Sequence, residues 1–137
     1  MTLWSRPRGA KAFSAVKSVA TDSSGSWLLA VRPRIATSYR AVSRSATSPT
    51  LLVRVRPRVT LARVHGRLVV HVAPAAAFRG RTVTLQTRRN GRWASIARRP
   101  LARTGAAAFR SLPGTVRAAV ATAPGYLAAA SRALPSR

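Results

Sequence analysis

The sequence of 137 residues has no cysteine, a single acidic residue, Asp22, and two histidines, His65 and His71. Hydrolysis by paired carboxylates needs two acidic groups, whereas thiol catalysis, disulfide frameworks and cysteine zinc sites need cysteine. These counts exclude those classes. We therefore predict a protein that is not an enzyme, with no cofactor, no metal and no small-molecule substrate.

The sequence also lacks any stretch near the ~18 consecutive apolar residues of a transmembrane helix. Its longest uncharged run, residues 118–131, is mostly alanine and contains Pro124 and Gly125. The first twenty residues lack the charged start, apolar middle and cleavage site of a secretory signal. They are basic and free of acidic residues, which leaves a transit peptide as an alternative. We expect no membrane span and no signal peptide in this chain.

Positive charge is abundant. Twenty-five Lys and Arg residues give a formal net charge of +24, and 47% of the residues are hydrophobic. That hydrophobic content exceeds what is typical of disordered chains, which combine high net charge with low hydropathy. The chain is therefore expected to fold.

Apolar and polar residues alternate along much of the chain, as they do in half-buried strands. This alternation predicts strands in residues 26–32, 51–61, 81–88 and 115–122, and a further strand pair in 59–64 and 67–73. The side chains predicted to face inward are Trp27, Leu29, Val31, Leu51, Val53, Val55, Val59, Leu61, Val83, Leu85, Val116, Ala118 and Val120.

Turn residues separate these runs. Asn90-Gly91 suits a type I′ hairpin, His65-Gly66 and Thr104-Gly105 offer glycine where φ is positive, and Asp22 begins an Asx-type turn. Short strands that recur at regular intervals, roughly 8–12 residues apart, are typical of an antiparallel β-sandwich or barrel.

An internal repeat gives the domain organisation. A shift of about 80 residues places Phe13 on Trp93 and Gly25 on Gly105, with Val16 on Ile96, Leu29 on Phe109 and Pro33 on Pro113 as further matches, and a slightly longer shift places Leu3 on Leu85. We predict an all-β fold of tandem antiparallel β-sandwiches. Residues 1–57 form an incomplete domain of about five strands that lacks the first two, and residues 58–137 form one of about seven strands, the last one weak.

The first domain has no residues for the counterparts of two strands that begin the second. We therefore expect it to be truncated at its N-terminus, in a chain that is a portion of a longer protein. Apolar side chains such as Leu3, Trp27 and Leu29 are then expected to be poorly covered, and the isolated chain to be marginally stable or prone to associate.

The chain resembles the immunoglobulin-like and fibronectin-III-like β-sandwich repeats of secreted and surface proteins of high-GC bacteria. The stretches that carry the resemblance are residues 53–61, 83–86 with 90–93, 21–27, 37–41 and 123–127. The resemblance implies a spacer, adhesive or accessory module without catalytic residues. It also implies a secreted or cell-surface location as part of a longer protein.

Arginine is the residue type best suited to binding in this sequence, because guanidinium groups pair bidentately with phosphate, sulfate and carboxylate. The candidate polyanion contacts are Arg54, Arg56 and Arg58, expected as a ladder on one strand, and Arg79, Arg81, Arg88, Arg89 and Arg92. Arg98, Arg99 and Arg103 form a further cluster. The alternative is compositional: an arginine-rich sequence uses arginine wherever a strand faces solvent, and the even spread of arginine favours this interpretation.

The remaining polar candidates have simpler explanations. His65 and His71 are expected to be surface residues, because no further ligand completes a metal site. Asp22 is expected to cap a turn. Most of the aromatic residues are expected to lie in the core, and no helix-turn-helix, RNA-recognition or zinc-finger pattern is present.

The function that the sequence favours is a structural, adhesive or spacer module whose basic surface contacts an anionic cell-envelope polymer or an acidic protein. The alternative is a module that binds nucleic acid or another polyanion, although nucleic-acid binding is expected to be non-specific. A spurious translation of GC-rich DNA is a third possibility, against which the repeat and the agreement between turns and strands both speak.

Overall fold

The computed structural model describes residues 1–136. Nearly all of their regular structure is antiparallel strand: 51% of the chain is strand and 3% is helix. The elements in chain order are β1 (Thr2–Pro7), β2 (Ser14–Ser18), β3 (Thr37–Ser43), β4 (Ala46–Thr47), β5 (Leu51–Val53), β6 (Arg58–Val64), β7 (Arg67–Ala73), α1 (Ala75–Phe78), β8 (Thr82–Arg89), β9 (Arg92–Pro100), β10 (Ala106–Arg110), β11 (Val116–Val120) and β12 (Ala129–Ala130). The chain divides into two compact units, unit 1 over Met1–Val55 and unit 2 from Arg56 onward.

Unit 2 contains two antiparallel sheets, one with the order β10-β7-β6 and one with the order β12-β11-β8-β9. The inward side chains of both sheets share one core, which is consistent with a β-sandwich. Its largest fully buried side chains are Leu68, Val70, Phe78, Val83, Leu85 and Val116. The alternation of the sequence predicted the inward side of β8 and β11, and those predictions are confirmed.

The hairpins of unit 2 follow the predicted turn chemistry. Asn90 and Gly91 have φ of 50° and 75°, and His65 and Gly66 have φ of 47° and 72°. Positive φ at both central residues defines the type I′ turn, whose twist matches that of the flanking strands. The β8–β9 and β6–β7 pairs are therefore tight hairpins.

Unit 1 contains one sheet, in the order β2-β1-β3, with β4 and β5 both paired to the far edge of β3. This sheet has the same strand order as β9-β8-β11-β12 of unit 2. The register shifts immediately after Leu3 in β1 and immediately after Leu85 in β8, a β-bulge at the same place in each sheet. Leu3 pairs with Ala41, as Leu85 pairs with Ala118.

In both units, a serine forms the same pair of hydrogen bonds with the alanine named above. The Ala41 amide donates to Ser48 Oγ over 2.8 Å, and the Ala118 amide donates to Ser131 Oγ over 2.9 Å. Each serine amide in turn donates to the carbonyl oxygen of the same alanine over 2.8 Å. The sheet of unit 1 and the four-stranded sheet of unit 2 therefore share their strand order, a β-bulge and this serine contact.

Three sequence predictions fail locally. Residues 26–32 form no strand. Their counterpart in unit 2 is β10, which pairs with β7, and unit 1 has no described strand that corresponds to β7. The predicted strand over residues 51–61 is two strands, β5 paired to β3 and β6 paired to β7, separated by the unit boundary and by Pro57, which has no amide hydrogen to donate. Leu3 is buried, at 7% exposure, although Trp27 and Leu29 are only half-buried.

Candidate functional site

The outer face of the four-stranded sheet in unit 2, turned away from the core, carries an aromatic ring between two arginines. Trp93 lies opposite Arg88 in the β8–β9 hairpin. The Arg88 guanidinium carbon lies 5.8 Å from the centre of the Trp93 ring, and that of Arg117, from β11, lies 4.4 Å from it. Both separations lie within the ~6 Å at which the ring quadrupole attracts a cation. We call these three residues stack 2.

The orientation of Arg117 is fixed by a hydrogen bond. Its Nε donates to Oε1 of Gln86, its direct neighbour across the β8–β11 pair, over 2.7 Å. That bond uses one of the five N–H groups of the guanidinium and leaves the two terminal nitrogens to other acceptors. In stack 2, the pairing of β8 with β11 thus fixes how the planar Arg117 guanidinium lies against the Trp93 ring.

Unit 1 carries the same arrangement on the corresponding face. The Arg6 and Arg40 guanidinium carbons lie 4.8 Å and 4.1 Å from the centre of the Phe13 ring. When each strand of unit 1 is aligned with its own counterpart in unit 2, Arg6, Phe13 and Arg40 fall on the residues of stack 2. We call these residues stack 1. Two copies of one sheet therefore keep two arginines and one aromatic ring at the same three places.

The two stacks differ in their ring, Trp93 against Phe13, and in the residue that lies beside the second arginine. Trp4 in β1 stands where unit 2 has Gln86, and it is the direct cross-strand neighbour of Arg40. The buried Nε of Arg40 has no hydrogen-bond partner among residues 1–136. Since the indole ring offers no acceptor, Arg40 has no counterpart of the bond between Arg117 Nε and Gln86, and its guanidinium lies against the Phe13 ring.

The predicted ladder of Arg54, Arg56 and Arg58 is not arranged along one strand. Arg58 is the first residue of β6 in unit 2, Arg54 follows β5 in unit 1, and Arg56 lies between the two strands. The physical reason is the strand break at Pro57. All three side chains are exposed, so each stays a prediction as an individual anion contact.

The other predicted contacts lie in unit 2. Arg79 and Arg81 flank Gly80 after α1, and both are exposed. Arg89 and Arg92 lie directly opposite each other across the Asn90-Gly91 turn. Like charges directly opposite in a sheet repel, so this pair gains from an anion that lies between them. Of the eight predicted contacts, Arg88 is the one that belongs to a stack.

The histidines and the aspartate occupy the expected kinds of position. His65 is an exposed turn residue and His71 is exposed in β7. Asp22 Oδ1 accepts hydrogen bonds from the Ser24 hydroxyl, the Ser24 amide and the Ser26 amide, over 2.6, 2.9 and 2.9 Å. These bonds, the Ser24 hydroxyl first, hold the pKa of Asp22 below its ordinary value of 3.8. Within residues 1–136, no three His, Asp or Glu side chains come together as metal ligands.

Comparison with known proteins gives no relative: no family model, no curated protein and no solved structure matches the chain. Among the described residues, no helix has the length and apolar character needed to cross a bilayer. The candidate site therefore rests on its own geometry.

Sequence reasoning missed the stacks because it assigned the aromatic residues to the core. Trp93 is instead half-buried on the outer face with Arg88. A signal was present in the sequence: the dipeptide Arg-Ala occurs at 40–41 and again at 117–118. An alignment of the two units that allows a different shift for each strand places these two dipeptides on each other, whereas one fixed shift along the whole chain does not.

Proposed function

We propose that the protein is a non-catalytic adhesive or spacer module of a secreted or cell-surface protein, and that it contacts anionic cell-envelope polymers through stacks 1 and 2. The observation that carries the proposal is the recurrence of one arginine–aromatic–arginine arrangement on the outer faces of two sheets. A neutral role, in which arginine merely covers solvent-facing positions, does not require the same arrangement twice.

The arrangement of strands supports an immunoglobulin-like or fibronectin-III-like character for each unit. Unit 2 pairs a three-stranded sheet, β10-β7-β6, with a four-stranded one, β12-β11-β8-β9. Sandwiches of this kind present the outer face of each sheet to their surroundings. Unit 1 repeats the strand order of that four-stranded sheet.

The chemistry of the stacks suits a polymer with a charge on each repeating unit. The guanidinium forks pair with sulfate, phosphate or carboxylate, and the aromatic ring gives a flat apolar surface between them. With 25 basic residues against one acidic side chain, the surrounding field also draws polyanions toward the protein. Long-range attraction brings the polymer near, and the stacks provide the geometrically defined contacts.

The test is a binding titration of the full chain with an anionic polysaccharide over a range of salt concentrations. The variant R88Q/R117Q removes two charges from stack 2, and the matched control R103Q/R110Q removes two exposed charges from other sites. We expect the stack variant to bind about tenfold more weakly than the control at ~0.15 M salt, as two ion contacts of about 0.7 kcal/mol each would give. Equal losses in the two variants would show that net charge alone governs binding.

A nucleic-acid module is the second candidate, and one observation favours it. The half-buried Trp93 ring flanked by arginine resembles the platforms on which single-stranded binders stack bases. The same titration with single-stranded and duplex DNA separates the candidates. DNA binding that persists above about 0.3 M salt and requires Trp93 would favour nucleic acid, because purely electrostatic binding falls with a log–log slope near −0.9 per phosphate contact.

A further inference from the structure

The neighbouring edges of the two sheets in unit 2 border a cavity that belongs to neither stack. The edge strands are β9 in the four-stranded sheet and β10 in the three-stranded sheet, and the two strands contact each other. The cavity has a volume of about 450 Å³, and its lining includes Arg67, Arg99 and Arg110, all of them exposed. Unit 2 contains no Asp or Glu, so no acidic side chain of that unit neutralises the three arginines.

Strand register brings two of these arginines close together. Arg67 in β7 lies directly opposite Arg110 in β10. The Val72 amide donates to the Gly105 carbonyl over 2.8 Å, which makes these two residues a hydrogen-bonded pair. Because pairs with and without hydrogen bonds alternate along an antiparallel ladder, Arg67 and Arg110 form a pair without them, the kind in which side chains lie closest. Like charges at such a position repel, and an anion between them removes the repulsion.

The same register supplies a backbone donor. Ala108 lies opposite Val69, in another pair without hydrogen bonds to β7. Among the described residues no strand other than β7 pairs with β10, so the Ala108 amide points to the open edge of the sheet. Ala108 lines the cavity together with the three arginines. Concave sheet edges bind anions through such free amides, and guanidinium groups are the side chains best suited to phosphate.

The third arginine lies against a buried ring. The Arg99 guanidinium carbon is 6.0 Å from the centre of the Phe109 ring, and Phe109 is only 4% exposed. That distance is at the limit of about 6 Å for a cation–π contact. The contact keeps the guanidinium beside the cavity that both residues line. Charge at a sheet edge also deters pairing with other chains, but that purpose does not require three guanidinium groups around one cavity.

We propose that Arg67, Arg99, Arg110 and the Ala108 amide bind a phosphate dianion. A phosphate monoester carries nearly two negative charges at neutral pH and three strong acceptor oxygens, which suits several guanidinium forks better than a singly charged sulfate ester does. The cavity volume lies within the roughly 300–1,000 Å³ of small-molecule sites, so the cavity has room for a small organic group that carries the phosphate. None of these residues belongs to a stack, so the inference is independent of the proposed function.

The phosphate compound is a ligand and not a substrate. The guanidinium groups stay protonated and the backbone amide is only a donor, so the four groups offer neither a nucleophile nor a general base. The site therefore agrees with a protein that is not an enzyme.

The probes for the experiment are glucose 6-phosphate, inorganic phosphate and glucose 6-sulfate, each titrated into the full chain. At about pH 7 the sugar phosphate, with a second pKa of about 6, is mostly a dianion, whereas the sulfate ester of the same sugar is a monoanion. The ionic strength is held at about 0.15 M, and NMR follows the Ala108 amide and the arginine Nε–H signals. We expect saturable shifts at Ala108 and at the three arginines, and about tenfold weaker binding of glucose 6-sulfate.

The decisive variant is R67Q/R99Q, and R103Q/R132Q is its matched control. Each removes two exposed charges from unit 2, and neither Arg103 nor Arg132 lines the cavity. We expect R67Q/R99Q to bind glucose 6-phosphate about tenfold more weakly than the wild type, and the control to change by less than about twofold, because exposed charges outside the site are screened. The single variant R67Q relieves the repulsion with Arg110, so without ligand it should melt no lower than the wild type.

The two phosphate probes distinguish the source of the ligand. Tighter binding of glucose 6-phosphate than of inorganic phosphate would assign the site to a phosphate ester, and equal affinity would assign it to free phosphate. Three results would overturn the proposal: no saturable shift of the Ala108 amide with either phosphate probe, equal losses of affinity in R67Q/R99Q and R103Q/R132Q, or binding of glucose 6-sulfate as tight as that of glucose 6-phosphate.

Discussion

The close approach of β7 to Gly105 makes a quantitative prediction for the substitution G105A. Gly105 lies in the left-handed region, and its carbonyl oxygen accepts a hydrogen bond from the Val72 amide over 2.8 Å. A methyl group there would press against the Val72 carbonyl oxygen, which is backbone and cannot rotate away. The turn and the edge of β7 must therefore separate.

The magnitude follows from two contributions. An L-residue other than glycine in the left-handed region costs about 1–2 kcal/mol. Displacement of the Val72–Gly105 hydrogen bond adds about 1 kcal/mol. We expect G105A to lower the free energy of unfolding of unit 2 by about 2–3 kcal/mol, the sum of the two. The corresponding substitution G25A is expected to cost unit 1 only the first contribution, about 1–2 kcal/mol.

Native-state amide hydrogen exchange measures the two units separately, since it reports protection at individual strands. Amides of β7 and β8 report on unit 2, and amides of β1 and β3 report on unit 1. The reasoning would be refuted if G105A lowered the protection of unit 2 no more than G25A lowers that of unit 1. That result would mean that β7 does not approach Gly105 as the structure shows.

Three further predictions concern single side chains. The pKa of the Asp22 carboxyl, measured by NMR titration, should lie below its ordinary value of 3.8, because the Ser24 hydroxyl and the nearby amides hydrogen-bond the charged form. The contribution of Asp22 to the stability of the fold is then present above the unfolded-state pKa and is lost as the pH falls through the folded-state pKa. The substitution Q86A leaves the Arg117 Nε without its acceptor and should lower the free energy of urea unfolding by about 1–2 kcal/mol; an unchanged midpoint would contradict this. The substitution S131A leaves the buried Ala118 amide without its side-chain acceptor and should cost about 1–2 kcal/mol in thermal unfolding; an unchanged melting temperature would contradict this.

Much of the fold could be predicted from the sequence because strand alternation and turn chemistry are local properties. The Asn90-Gly91 hairpin and the inward side of β8 follow from residues that are adjacent in the chain. The failure at residues 26–32 has the opposite cause. Those residues have the alternation of a strand, but a strand needs a partner for its backbone groups, and local pattern does not show whether a partner exists.

The candidate site was harder to predict than the fold. Arg88 was a candidate because it lies in a basic cluster, whereas Arg117 lies alone among apolar residues of β11. The two meet at Trp93 only after β8 pairs with both β9 and β11. Contacts across three strands depend on register, and the bulge after Leu85 changes that register.

The measurement that tests the proposed function most directly is an NMR titration with a short anionic oligosaccharide. It follows the arginine Nε–H signals and the aromatic ring signals of the full chain in about 0.15 M salt. We predict that the largest shifts occur at Arg6, Phe13 and Arg40 and at their counterparts in stack 2. Shifts of equal size at all exposed arginines, with unchanged Phe13 and Trp93 rings, would contradict the assignment of the two stacks as the binding surface.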